Sequence, residues 1–170
     1  MIQKITSAYA NKWIKSLEEE KAFLVNKEAE SNTYIAAVNE EPIIPDYDYA
    51  EVAAAIEQLD EKIASLKHAL NLANATAKVS VNGTEMSVDK ILIRMAQLNK
   101  RKSILDAMRK QLPKTRVDQR YTSRTVPEYQ YINYDLELIR QEYDRISRLL
   151  MDLQMALDLH NQTVQFEVDL

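Results

Sequence analysis

Apolar residues recur at Val52, Ile56, Leu59, Ile63, Leu66, Leu70 and Ala73, in alternating steps of four and three. That is a 3.5-residue repeat, the spacing of a coiled-coil seam, and it predicts a long helix beginning at Asp48. At about 1.5 Å per residue the helix would be about 40 Å long, and such a rod needs a partner of similar length. Sliding Tyr47–Thr76 by 87 positions lays it without a gap on Tyr134–Thr163. Ile139, Tyr143, Ile146, Leu150, Leu153, Leu157 and His160 then occupy the same seam positions. Both stretches open with Tyr-Asp and close with Ala-Leu-x-Leu-x-Asn-x-Thr.

Two further helices are predicted. Ile2, Ile5, Tyr9, Trp13, Leu17 and Leu24 form a stripe over Ile2–Ser31, and Ile91, Met95, Leu98, Leu105, Met108 and Leu112 form another from Ser87 to Leu112. Pro113 stops the second, because proline lacks the N–H and clashes with the preceding turn. Asp48-x-x-Glu51 reads as a capping box, and Asn74 and Asn161 read as C-caps. Thr33–Val38 is β-permissive, and Glu128–Ile132 reads as a strand. Asn82-Gly83 between Val79-Ser80-Val81 and Thr84-Glu85-Met86 is a hairpin signal. Val164, Phe166 and Val168 alternate as a last strand, mirroring Val79 and Val81.

These elements predict a mainly α protein of about four long antiparallel coiled-coil helices, with short strands and a hairpin at their ends. They are read as one domain of two similar halves, about 1–83 and 84–170, from duplication of a unit of about 85 residues. The 170-residue length is enough for one domain with a real core. A single glycine, Gly83, argues against a turn-rich β protein, and the Asn-Gly turn uses it better than a phosphate cradle would.

Charge changes the picture more than composition does. The net charge is −4, yet Lys100–Arg124 carries nine Lys or Arg against two Asp, a local +7 that leaves −11 elsewhere. Such separated charges attract one another between copies of a chain. Arg109, Lys110, Lys114, Arg116, Arg120 and Arg124, with Tyr121 among them, are therefore candidates for polyanion contact through phosphate pairing and ring stacking. The competing reading is that these cations complement a helix end and the acidic remainder of a neighbouring subunit, and the overall negative charge favours it. Other chemistry finds little support. There is no Cys, and His68 and His160 have no spacing to a second metal ligand. The carboxylate runs Glu18–Glu20 and Glu40–Glu41 splay rather than face each other, and no GxSxG or SxxK motif activates a nucleophile. No catalytic residue, metal, cofactor or small-molecule substrate is assigned. The start, MIQKITSAYANKW, has no signal-peptide core, and no apolar run approaches a membrane span, so the expectation is a cytoplasmic protein.

Lys67-His68-Ala69 running to Asn74, Leu112-Pro113-Lys114 with Arg116, and Tyr131-Ile132-Asn133-Tyr134-Asp135 together resemble the bacterial septicolysin-like family over nearly the whole chain. The family carries no assigned catalytic residues, and its name implies a membrane-damaging activity. This chain lacks the long alternating strands of pore-forming barrels. The expected function is accordingly a non-enzymatic, self-associating scaffold. Nucleic-acid or polyanion binding is the first alternative and membrane damage the second.

Overall fold

A computed structural model of the chain describes residues 2–117 and 126–169. In chain order the elements are β1 (Ile2–Thr6), α1 (Ser7–Ser31), α2 (Tyr49–Thr76), β2 (Lys78–Val81), β3 (Thr84–Ser87), α3 (Val88–Arg109), β4 (Lys114–Arg116), β5 (Tyr129–Tyr131), α4 (Leu136–Thr163) and β6 (Gln165–Asp169). The described chain is mainly helical, and its strands form antiparallel two-stranded ribbons: β1 with β6, β2 with β3, and β4 with β5. The contacts divide it into two compact units. One holds the residues up to Ala77 and those from Asp158 onward, and the other is Lys78–Leu157.

In the first unit α1 and α2 lie antiparallel. Lys21 meets Asp60 and Lys67 meets Glu18, each at 2.6 Å, while the Tyr47 hydroxyl donates to Glu28. Leu59, Ile63, Leu66 and Leu70 of α2 share a core with Ala10, Ile14 and Leu17 of α1, closed by Ile5 and Val168 of the β1–β6 ribbon. The seam of α2 is thus covered from within the chain. In the second unit Ile91, Leu98 and Leu105 of α3 are buried, as are Ile139, Ile146, Leu150, Leu153 and Leu157 of α4. Two further matched pairs of seam positions, Ile56 with Tyr143 and Ala73 with His160, are half-buried. The Asn82-Gly83 turn joins β2 to β3 as expected, with left-handed φ values of 49° and 79°. Asn82 Nδ2 donates to Asp152 of α4 at 2.9 Å.

Local bonding in α2 recurs in α4 at the same 87-residue offset. Asp48 accepts from the Glu51 N–H at 3.0 Å, and Asp135 accepts from Leu138 at 3.3 Å. At the other ends, the Ala77 N–H donates to Ala73 at 2.8 Å and the Val164 N–H to His160 at 2.9 Å.

Several expectations need correction. Ile2–Thr6 is a strand and not the first helical turn. Its ladder partner β6 supplies the hydrogen bonds, Ile5 faces the core, and Thr6 caps α1 by accepting from Tyr9 N–H at 3.2 Å. The buried stripe of α1 consequently runs through Ser7, Ala10, Ile14 and Leu17, leaving Tyr9 exposed. Thr33–Val38 is irregular, and among the described residues no strand pairs with it. Asn74 and Asn161 are interior helical residues, and both helices continue to a threonine. Thr76 Oγ1 donates to the Leu72 carbonyl at 2.8 Å and Thr163 Oγ1 to Leu159 at 2.6 Å. The third helix stops at Arg109, three residues short of Leu112, where Gln111 N–H closes a turn on Met108 and the chain extends into β4. Ser87 stands at the predicted N-cap, but its side chain makes no capping bond there.

Candidate functional site

The basic tract enters the structure at the end of α3. Asp106, Arg109 and Lys110 lie one helical turn apart, close enough for side chains to meet. Arg109 contacts Asp106 Oδ1 through Nε at 2.8 Å and Nη2 at 2.7 Å, and Lys110 pairs with Oδ2. The hydrogen bonds from Lys110 and then Arg109 hold the Asp106 carboxyl below its ordinary value. The Arg109 guanidinium also lies 3.9 Å from the Tyr143 ring centroid, and Lys102 Nζ lies 5.3 Å from it. Arg109 is therefore engaged both with Asp106 of its own helix and with Tyr143 of α4, while Lys110 pairs with Asp106.

Lys114 and Arg116 are placed differently. The register of the β4–β5 ribbon sets Lys114 opposite Tyr131, Thr115 opposite Gln130 and Arg116 opposite Tyr129. Opposed residues share a face and faces alternate along a strand, so Lys114, Arg116, Tyr129 and Tyr131 project together. Lys114 Nζ is 4.1 Å from the centroid of Tyr129 and 5.6 Å from that of Tyr131. Both tyrosines and both cations remain exposed. Arg116 makes no ion pair among the described residues. Arg120, Tyr121 and Arg124 fall outside the described residues.

This face joins two positive charges to two amphipathic rings, and it sits on a ribbon that has only two strands among the described residues. Carboxylate or phosphate groups suit the cations, and flat or apolar groups suit the rings. Tyr129 and Tyr131 were not nominated with the basic tract. The signal for them was the matching period of two, Lys114-x-Arg116 against Tyr129-x-Tyr131, which places all four on one face once the strands are paired.

The remaining candidate chemistry stays dispersed. His160 is half-buried near the end of α4, and burial pushes its imidazole below the ordinary value. His68 borders a shallow cavity of about 410 Å3 with Leu72, Thr76 and Phe166. Among the described residues no cluster of His, Asp or Glu is placed to hold a metal ion, and no helix is long and apolar enough to cross a membrane.

No protein-family model matches the chain, and no curated protein does. The fold is similar to the crystal structure of a functionally unknown conserved protein from Corynebacterium diphtheriae. The TM-score is 0.66 at 16% identity, over 96% of this chain and 99% of that one. At that identity the likeness concerns the fold alone.

Proposed function

We propose that the chain is a non-enzymatic interaction scaffold, a duplicated pair of coiled-coil helical hairpins that associates with further copies of itself. The duplication is supported by the recurrence at one offset of helix bounds, capping carboxylates, terminal hydrogen bonds and buried seam positions in α2 and α4. On this reading each half opens with a strand, carries two helices and closes with a strand, and the second half holds the β4–β5 ribbon between its helices. The last strand of each half then pairs with the first strand of the other, β6 with β1 and β2 with β3.

Self-association rests on one observation. Ile35, Val38 and Ile43, in the connector between α1 and α2, are each at least 91% exposed. Apolar side chains presented together in one segment mark an interaction surface. Because the α2 seam is covered by α1, the connector and not the seam offers a partner apolar surface. Light scattering at micromolar concentration should return an oligomer, and a strict monomer rejects the proposal.

Polyanion binding is the second reading, favoured by the Lys114, Arg116, Tyr129 and Tyr131 face. It requires a mobility shift with DNA or RNA at low salt that weakens as salt is raised. No shift at low salt rejects it.

A further inference from the structure

We propose that the connector 32–48 of one copy docks on the β4–β5 ribbon face of a second copy. This rests on the self-association reading above and names the two surfaces that meet.

The two surfaces are complementary in charge. The connector carries Glu40, Glu41, Asp46 and Asp48 and contains no Lys or Arg. Asp48 is spent on capping α2, but Glu40, Glu41 and Asp46 make no ion pair among the described residues. Lys114 and Arg116 carry the opposite charge, and Arg116 makes no ion pair among the described residues. Unlike charges brought together at an interface rim steer encounter and fix register.

Apolar and backbone groups match as well. Ile35, Val38 and Ile43 have no cover within their own chain, whereas Tyr129 and Tyr131 offer exposed rings of the amphipathic kind that interfaces favour. Thr33–Val38 is β-permissive and free of proline, and among the described residues the ribbon has no third strand, so the segment can add at its edge with Ile35 on the tyrosine face and Val38 on the opposite one. The segment reads as strand in sequence yet is irregular in the single chain. A missing edge to pair with accounts for both facts.

Every copy carries one connector and one ribbon. The contact therefore joins unlike surfaces, and in a two-fold pair it is made twice.

The experiment uses two full-length variants, Lys114→Glu with Arg116→Glu, and Glu40→Lys with Glu41→Lys. Both change exposed side chains, and circular dichroism checks that each keeps wild-type helicity. The wild-type chain should self-associate by light scattering at low salt, and each variant alone should do so at least about tenfold more weakly. An equimolar mixture of the two variants should recover association, because reversed ribbon then meets reversed connector. Variants that associate like the wild-type chain overturn this docking while leaving the scaffold reading standing. So does a mixture that fails to recover. A monomeric wild-type chain overturns both. Loss of oligonucleotide binding in the ribbon variant, with association intact, also overturns the docking and gives the face to nucleic acid.

Discussion

The guanidinium of Arg109 lies 3.9 Å from the ring centroid of Tyr143 while its Nε and Nη2 hold Asp106, so one side chain ties the end of α3 to the seam of α4. Tyr143 stands where α2 has Ile56, and the aromatic ring at that seam position gives the cation a face to rest on. Tyr143→Ala removes the half-buried ring and the stacking surface together. It should destabilise the chain by roughly 1–3 kcal/mol, measured by urea unfolding. Arg109→Lys should also lower the urea midpoint, because an ammonium cannot reproduce a fork on Asp106 and a stack on Tyr143 at once. An unchanged midpoint in both variants means that the contact contributes nothing to the fold.

Asp106 makes the same junction sensitive to acid. Its carboxyl titrates below the ordinary value of 3.8 because Lys110 and Arg109 donate hydrogen bonds to the charged form. A group depressed on folding contributes stability above its unfolded pKa and loses it as pH falls through the folded one. Asp106→Asn should therefore unfold at lower urea than the wild-type chain at neutral pH. The difference should close as pH drops below 3.8 toward the lowered value. A gap that persists through that range assigns the loss to packing and not to charge.

Leu66 and Leu153 are matched at the 87-residue offset, and neither has any exposed surface. Their truncation tests whether the two seams contribute alike. Leu66→Ala and Leu153→Ala should each cost about 2–5 kcal/mol, the range for a leucine removed from a close-packed core. Leu72→Ala and Leu159→Ala, matched in the same way but exposed, should each change stability by under about 0.5 kcal/mol. Urea denaturation of the four variants checks both halves of the expectation.

The features legible in the sequence are those whose cause is local. The seam positions, the Asp48 cap, the Asn82-Gly83 hairpin and a strand around Tyr129–Tyr131 all follow from residues within a few positions of one another. β1 was missed because its ladder partner is β6, at the far end of the chain, and Ile2 and Ile5 alone fit a helical period as well as a strand. Asn74 misled for a related reason. A C-cap asparagine looks no different in sequence from one inside a helix, and the helix goes on because Thr76 and Ala77 bond back to Leu72 and Ala73. At the basic tract, the fate of Arg109 and Lys110 was readable from their spacing to Asp106. The grouping of Lys114 and Arg116 with Tyr129 and Tyr131 needed the register of a ribbon whose two strands are well separated in sequence.

Gly83 separates backbone strain from steric crowding. Its φ of +79° lies in the left-handed region, yet a Cβ built there meets nothing within 4 Å. Gly83→Ala should therefore cost only the conformational penalty of an L-residue at positive φ, about 1–2 kcal/mol. Asn82, at φ 49°, tolerates the same region and is further held by its bond to Asp152. Asn82→Ala removes that bond and places alanine at positive φ, so it should cost at least as much as Gly83→Ala. Asn82→Gly keeps the turn and loses only the bond, and it should fall within about 1 kcal/mol of the wild-type chain. Thermal unfolding of the three variants orders them. If Asn82→Gly proves the worst of the three, the Asp152 bond and not the turn conformation is what holds the hairpin to α4.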